Sequence, residues 1–311
     1  MTVARIQHIT NGSAIIPKMR DAGLDGPILS WDDVLHEGPV PAGLNIGALR
    51  DVRAEFLASW AHQPFDVIAR SFRDRDNAVD ASIDAVDEVV LWLEHDLYDQ
   101  LQLIQILDRF PLDRGPLVTA VPDDDYLGTQ PTPRFAGLFT ARTEVTTGQR
   151  LAARDAWQCF RASDPRTIVD VLPRVTALRH LPAALRRHLQ QFPSLENGLS
   201  RTEQQTLEAA MRGVTHVKDL YTAANHEREE AVFMGDAAFL FHIEALTRPP
   251  RPLLQVEDDR VVLTADGRRV HDGDADRVRL CGIDRWLGGV HLEGAGPMWR
   301  WDATRQTIRL V

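Results

Sequence analysis

A group of titratable residues follows the most apolar run of the chain. In "WLEHDLYDQLQL", residues 92–103, Glu94, His95, Asp96 and Asp99 stand between a strand-like segment and a segment with helical spacing. Burying carboxylates and imidazoles without partners at a strand end costs free energy, so we expect them to pair with one another or to bind a ligand. Asp96 also suits a helix N-cap, with Asp99 in the first turn. That structural explanation covers these two residues but not Glu94 and His95.

A second polar segment, "HEGPVP", combines an imidazole and a carboxylate with a glycine. Gly38 lets the backbone come close to a ligand, and His36 and Glu37 are suited to act as a general base or an oriented acid. A carboxylate beside an imidazole fixes its tautomer and raises its pKa, which gives an acid or base near neutrality. We therefore predict that this pair and the pair of His95 and Asp96 transfer protons. Asp99 completes the predicted catalytic set.

A third segment, "NGS", lies between a predicted strand and a predicted helix. Asn11, Gly12 and Ser13 offer backbone N–H groups and a hydroxyl to an anion, as helix N-termini do at phosphate sites. The segment lacks the glycine spacing of a dinucleotide fingerprint or a P-loop. A plain tight turn therefore remains the alternative.

The two imidazoles also allow a divalent metal. His36 and His95, together with the nearby carboxylates, have the donor types of such a site. The chain has no HxxxH or HExxH spacing around them, so the sequence identifies no cofactor. A metal is the alternative to direct proton transfer.

The first 141 residues alternate between strand-like and helical patterns. The predicted strands are residues 5–10, 26–31, 88–93 and 116–121. Because these runs are apolar and separated by helical segments, they predict an α/β domain with a parallel, Rossmann- or flavodoxin-like sheet covered on both faces.

In such a sheet the ligand crevice lies beyond the carboxyl ends of the strands. Polar residues follow each predicted strand, so we expect them to converge on one edge. We expect the loops bearing Ser13, His36 and His95 to face a shared cavity. The predicted substrate-binding residues on these loops are Asn11, Gly12, Ser13, Asp32, Gly38 and Gln100.

The remaining chain predicts two further parts. Residues 142–198 are helical and basic, which indicates a connector packed on the first domain. Residues 199–311 begin with Ser200 and Glu203, a capping-box pattern, and continue with helices, two strands around a charged turn and a helical end. Three helices followed by a two-stranded wing are typical of a winged-helix-like α+β domain.

Composition excludes some classes of protein. The net charge is −10, and no apolar run reaches the roughly 18 to 20 residues of a membrane helix. The N-terminus lacks the pattern of a secretory signal, so we expect a cytoplasmic protein without membrane contact. An acidic surface argues against nucleic-acid binding. The two cysteines, Cys159 and Cys281, have no zinc-ribbon spacing.

Several segments together resemble a known family. They are "HITNGS", "WDDVLHEGPVP", "LWLEHDLYDQLQLIQILD", "LSRTEQQTLEA", "FMGD" and "GIDRWLGGVHL". Over nearly the whole chain the sequence is similar to bacterial proteins catalogued as domain of unknown function 1835, with their companion C-terminal domain. Relatives usually have an Asp between the Gly and Ser of the first loop, whereas here Gly12 is followed directly by Ser13. A role of that carboxylate therefore does not transfer.

The resemblance implies which residues belong to motifs of interest. They are His8, His36, Glu37, His95, Asp96, Asp99 and Gln100. It also adds the segment that contains Arg285 and Trp286. This arginine is suited to clamp an anionic ligand, although the adjacent indole and glycines favour a packed domain interface.

Three functions are compatible with these patterns. The first is a hydrolase or group transferase acting on a small anionic molecule, phosphorylated or nucleotide-like. The second is a ligand-sensing regulator with a DNA-binding winged helix, but its candidate recognition helix has Asp236 and Glu244 against only Arg248. We expect that module to serve packing or dimerisation, as in a homo-oligomer. The third is a non-catalytic interaction scaffold.

Overall fold

The computed structural model describes residues 4–61, 63–122 and 124–311. The strands are β1 (Ile6–Thr10), β2 (Ile28–Ser30), β3 (Gly38–Pro39), β4 (Glu88–Trp92), β5 (Leu117–Ala120), β6 (Thr143–Glu144), β7 (Leu254–Glu257), β8 (Arg260–Leu263), β9 (Ile283–Gly288), β10 (Val290–Gly294), β11 (Trp299–Asp302) and β12 (Thr307–Leu310). The helices are α1 (Ile16–Asp21), α2 (Ile46–Ala61), α3 (Phe65–Ala85), α4 (Leu97–Arg109), α5 (Thr132–Thr140), α6 (Thr147–Arg161), α7 (Arg166–Val171), α8 (Leu181–Leu189), α9 (Arg201–Met211), α10 (Val217–Tyr221), α11 (Asp236–Thr247), α12 (Ala265–His271) and α13 (Arg277–Cys281).

The chain forms two compact units, each built from separate segments. The first unit comprises Met1–Leu35, Gly43–Phe160 and Val171–Ala184. The second comprises His36–Ala42, Arg161–Asp170 and Leu185–Val311. Residues of the expected connector contribute to both units, and the expected boundaries at 141 and 198 remain predictions.

The sheet of the first unit has the strand order β2-β1-β4-β5-β6. Neighbouring strands from β2 to β5 run parallel, and β6 pairs with β5 antiparallel. The prediction of a mainly parallel α/β sheet is therefore confirmed, while the antiparallel edge strand was not predicted. Every residue of β4 is buried, which explains its continuous apolar sequence.

Clusters of buried apolar side chains hold the helices of this unit in place. Val90 and Trp92 of β4 pack with Met19 of α1 and Phe135 of α5. Helices α2 and α3 pack on each other through a second cluster. The sequence pattern runs on as one amphipathic stretch, but the helix is divided before Phe65 because Pro64 has no N–H to donate.

The second unit begins its long C-terminal segment with the predicted capping box. Ser200 accepts a hydrogen bond from the backbone of Glu203, whose side chain accepts one from the backbone of Ser200. Strands β7 and β8 form the predicted hairpin, and its turn places Asp258 and Asp259 at positive φ. The expected helical end is present as α12 and α13. Beyond it, however, the chain forms β9 to β12, which the sequence analysis did not predict.

Those last strands form two small sheets. Strand β9 pairs with β10 antiparallel and with β3 parallel, and β11 pairs with β12 antiparallel. The pairing of β3 gives the glycine of "HEGPVP" a structural role. Gly38 has a φ of 77°, a conformation that favours glycine, and it lies opposite Leu287 of β9. Among the residues that the structure describes, no helix is long and apolar enough to cross a membrane.

Candidate functional site

Glu94, Asp96 and Asp99 form a buried cluster, here called the carboxylate triad, directly after β4. Their side chains offer oxygen atoms that all lie within 4.8 Å of one another. The three residues are 6%, 4% and 0% exposed. Asp96 is the N-cap of α4 and accepts a hydrogen bond from the backbone of Asp99. The capping explanation for these two aspartates is therefore confirmed.

Each carboxylate of the triad also binds part of a loop. Asp99 accepts hydrogen bonds from the backbone N of Glu94 at 2.7 Å and from Nδ2 of Asn11 at 2.8 Å. Glu94 accepts one from the backbone N of Leu127 at 2.7 Å. The triad thus ties together the loops that follow β1, β4 and β5. These hydrogen bonds account for Glu94, one of the two residues that capping alone did not explain.

Burial strongly perturbs the acidity of the triad. It raises the pKa of Asp96 to about 7, and the charge of Glu94 adds to this effect. Burial also raises the pKa of Asp99 well above its ordinary value, assisted by the charges of Asp96 and Glu94. The pKa of Glu94 is raised by burial as well. Because three ionised carboxylates repel one another, the cluster favours either bound protons or a cation.

His95 lies in a group of rings. It is half-buried, and its ring centroid is 4.8 Å from that of Tyr126 and 5.7 Å from that of His180. His180 is 3.9 Å from Asp124, which binds Arg179 at 2.6 Å. Tyr126 and His180 were not predicted as site residues, because each lies in a loop without a recognisable motif.

The loop after β1 contains three predicted binding residues. Two of them, Asn11 and Gly12, contact other residues of the first unit. The backbone carbonyl of Asn11 accepts a hydrogen bond from the hydroxyl of Tyr98 at 3.0 Å. Gly12 lies beside Asp32, since a Cβ on this glycine would be 3.6 Å from Oδ1 of Asp32. Ser13 is exposed, and it does not cap α1, whose N-cap is Ile15.

Asp32 borders a cavity of about 480 Å³ at the end of β2. It accepts a hydrogen bond from the hydroxyl of Ser30 at 2.6 Å. Arg70 and Ser71 of α3 line the opposite side, and so does Arg75. The cavity is therefore lined by two carboxylates, of Asp32 and Asp74, together with hydroxyls and guanidinium groups.

Gln100 and Gly38, which we predicted to bind substrate, both contribute to the packing of the fold. Gln100 is buried and donates from Nε2 to the backbone carbonyl of Glu94 at 2.8 Å, so it holds the loop that carries the triad. Gly38 belongs to β3 in the second unit. Substrate binding by either residue remains a prediction.

Glu37 forms the centre of a second buried cluster, in the second unit. Its Oε1 lies 2.9 Å from Nε2 of His242 and 2.8 Å from Nη2 of Arg285; these three residues are here called the Glu37 cluster. Glu37 is 1% exposed and His242 is 2% exposed. Burial alone would raise the pKa of Glu37, but the charge of Arg285 and the hydrogen bond from His242 hold it below its ordinary value. Arg285 therefore has a buried carboxylate partner.

Among the described residues, the second unit has two further buried histidines, His36 and His188. The ring of His36 contacts Phe233 edge-on, with 5.1 Å between centroids. Burial lowers the pKa of His188 to about 3, and the charge of Arg285 contributes, so His188 is neutral. His242 itself was missed because 205 residues separate it from Glu37. The available signal was a single titratable side chain on the apolar face of "AFLFHIEAL".

The predicted site residues are therefore distributed over both units. Ser13 and His95 belong to the first unit and His36 to the second, and a cavity shared by the three remains a prediction. Comparison of the chain with known protein families and with curated proteins finds no match. The resemblance to domain of unknown function 1835 thus stays an expectation.

Proposed function

We propose that the protein is an enzyme that hydrolyses or transfers a group of a small phosphorylated or nucleotide-like molecule, with a divalent cation held by the carboxylate triad. The observation that carries this proposal is the proximity of three buried carboxylates, whose oxygen atoms lie within 4.8 Å of one another. A cation offsets their mutual repulsion and the cost of burial.

The position of the triad in the sheet supports a ligand site. In the order β2-β1-β4, the chain leaves β1 on one side to form β2 and returns on the other side to form β4. Open α/β sheets bind ligands at such a switch point, outside the carboxyl ends of the strands. Asn11 follows β1 and Asp99 follows β4, so their hydrogen bond lies at this switch point.

The donor set fits a hard cation. Carboxylate oxygens are the ligands that Mg²⁺ and Mn²⁺ prefer, and Mg²⁺ is often bound by one or two carboxylates together with substrate phosphates. When bound, such a cation neutralises phosphate charge and orients the substrate. His95, beside the triad in sequence, is suited to give or take the proton of the reaction.

The cavity at Asp32 is suited to the rest of the substrate. In nucleotide-binding sheets, a carboxylate after the second strand binds ribose hydroxyls. Asp32 occupies that position after β2, and Arg70 lines the same cavity. A sugar bound there would lie beside Gly12, close to the triad loop.

The first test measures cation binding. Metal-free protein is titrated calorimetrically with Mn²⁺ and Mg²⁺, and we expect saturable binding. Asp96→Asn keeps an N-cap side chain but removes one charge, so we expect it to weaken binding at least tenfold while helix α4 is retained. Asp84→Asn is the matched control, because Asp84 is exposed and pairs with Arg114.

The second test measures turnover. Phosphate or base release is followed over a panel of nucleotides and sugar phosphates, with and without EDTA. We expect His95→Ala to lose turnover while it retains the cation and the fold. Absence of cation binding in the wild type, or equal binding by Asp96→Asn, would contradict the proposal.

The second candidate function is a regulator, for which the order of helices and strands in the second unit, compatible with a winged helix, is the support. The segment between α9 and α10 forms a β-bridge from His216 to Arg260 of β8, as the first strand of a winged helix does with its wing. The exposed residues of α11, among them Asp236, Leu240 and Glu244, include no Arg or Lys up to Thr247. We infer that the module serves packing or dimerisation. Retention on heparin at low salt would contradict this.

A further inference from the structure

The second unit contains a cavity of about 280 Å³ beside the Glu37 cluster. This volume is close to the lower end of the range for small-molecule sites, roughly 300 to 1,000 Å³. Its apolar wall includes Phe241 and Ala245 of α11 and Ile283 of β9. His242 and Arg285, two members of the cluster, line the same cavity. The cavity thus combines an apolar wall with fixed polar groups.

The hydrogen bond to Glu37 sets the tautomer of His242. A carboxylate with a lowered pKa is ionised and only accepts hydrogen bonds. Nε2 of His242, at 2.9 Å from Glu37, therefore carries a proton. Over the described ranges, Nδ1 of His242 has no hydrogen bond; with the proton on Nε2, the contact of 3.3 Å between Nε2 and Nη2 of Arg285 is not a hydrogen bond either. In the neutral ring, Nδ1 is thus left as a hydrogen-bond acceptor.

Arg285 supplies the complementary donor. Its Nη2 is bound to Glu37, and no residue in the part of the chain covered by the structure accepts a hydrogen bond from Nη1. Glu37 also fixes the position of the guanidinium, whose side chain is 10% exposed. Such preorganisation lowers the entropic cost of binding.

A second ion pair borders the cavity without neutralising these groups. Arg277 lies 3.1 Å from Glu203 and donates to the backbone carbonyl of Gly282 at 2.9 Å. Both side chains are buried, and both line the cavity. Arg285 and His242 supply a hydrogen-bond donor and an acceptor to this cavity, whose lining also includes Arg248 and Asp284.

We propose that this cavity binds a small organic anion that carries a hydroxyl group next to its carboxylate or phosphate. The anionic group accepts hydrogen bonds from Nη1 of Arg285, and the hydroxyl donates to Nδ1 of His242. The carbon skeleton packs against Phe241 and Ala245. This second ligand site belongs to a different unit from the carboxylate triad and does not depend on the function proposed for the triad.

The test uses ligand pairs that differ by one hydroxyl. The full-length protein is titrated calorimetrically with lactate and propionate, and with glycerol phosphate and inorganic phosphate. We expect the hydroxylated member of at least one pair to bind about tenfold more tightly, because the partner lacking the hydroxyl leaves Nδ1 unpaired. No binding of lactate or glycerol phosphate, or equal affinities within both pairs, would overturn the proposal.

A matched pair of variants on α11 locates the site. Ala245→Leu fills the cavity and should weaken binding at least tenfold, whereas Ala237→Leu lies on the exposed face of the same helix and should leave it unchanged. Thermal unfolding confirms that each variant is folded. Undiminished binding by a folded Ala245→Leu would place the ligand elsewhere and refute the assignment. The ligand comparison with wild-type protein decides the question if that variant does not fold.

Discussion

Asn11 donates a hydrogen bond from Nδ2 to Oδ2 of Asp99 over 2.8 Å, although 88 residues separate them. One residue follows β1 and the other lies in the first turn of α4, after β4. The bond therefore joins the two sides of the switch point in the sheet. It also supplies a donor to a carboxylate that is fully buried.

We expect Asn11→Ala to destabilise the protein by about 1 to 3 kcal/mol, since it leaves a buried oxygen of Asp99 without this donor. Urea unfolding measures the change. Asn77→Ala is the control, because Asn77 is exposed on α3 and its replacement should change stability by less than about 0.5 kcal/mol. Equal stabilities of the two variants would show that the bond contributes nothing.

Because the pKa values of the triad are raised, we expect an unusual dependence of protein stability on pH. The folded protein binds protons more tightly there than the unfolded chain does, so unfolding releases protons and stability falls as pH rises. For Asp96 the loss begins near the ordinary value of 3.8 and continues to about 7. The expected loss from this residue is at most about 4 kcal/mol.

This dependence is measured by urea unfolding of metal-free protein at a series of pH values. Asp96→Asn should flatten the curve, because its amide does not ionise. Saturating Mn²⁺ should restore stability at neutral pH. A wild-type stability that rises steadily from pH 4 to 7, with no difference in Asp96→Asn, would refute the assignment.

We expect the stability of the protein to depend strongly on the charges of Glu37 and Arg285. Removing one partner of a buried ion pair commonly costs about 3 to 5 kcal/mol, so we expect this loss for Arg285→Met. The double variant Glu37→Gln with Arg285→Met should lose less than the sum of the two single variants. Additive losses in the double-mutant cycle would mean that the two side chains do not interact.

Gly289 is predicted to be intolerant of any side chain. A Cβ at this position would lie 1.8 Å from the backbone carbonyl oxygen of Arg161 and 2.2 Å from its carbon. We expect Gly289→Ala to lower the free energy of unfolding by about 3 kcal/mol. Gly296→Ala, which meets no atom within 4 Å, should have little effect. Similar melting temperatures would show that the backbone yields without cost.

Local sequence patterns predicted a strand or helix correctly where a single signal, such as continuous burial or a capping box, was strong. The run at Glu88 to Leu93 is apolar throughout because β4 is covered on both faces, and Ser200 with Glu203 marks the start of α9. Strands β9 to β12 were missed. Their residues are partly exposed and carry charged side chains, so no continuous apolar run identifies them.

The sequence by itself determined which residues had to be paired: carboxylates and imidazoles next to buried strands cost free energy unless they find a partner. It also determined the parallel sheet and the edge at which Asn11 and Asp99 lie. The tertiary structure decided the partners themselves. Glu37 meets His242 and Arg285 across 205 and 248 residues. Contacts of that range depend on the packing of whole elements, which local periodicity does not encode.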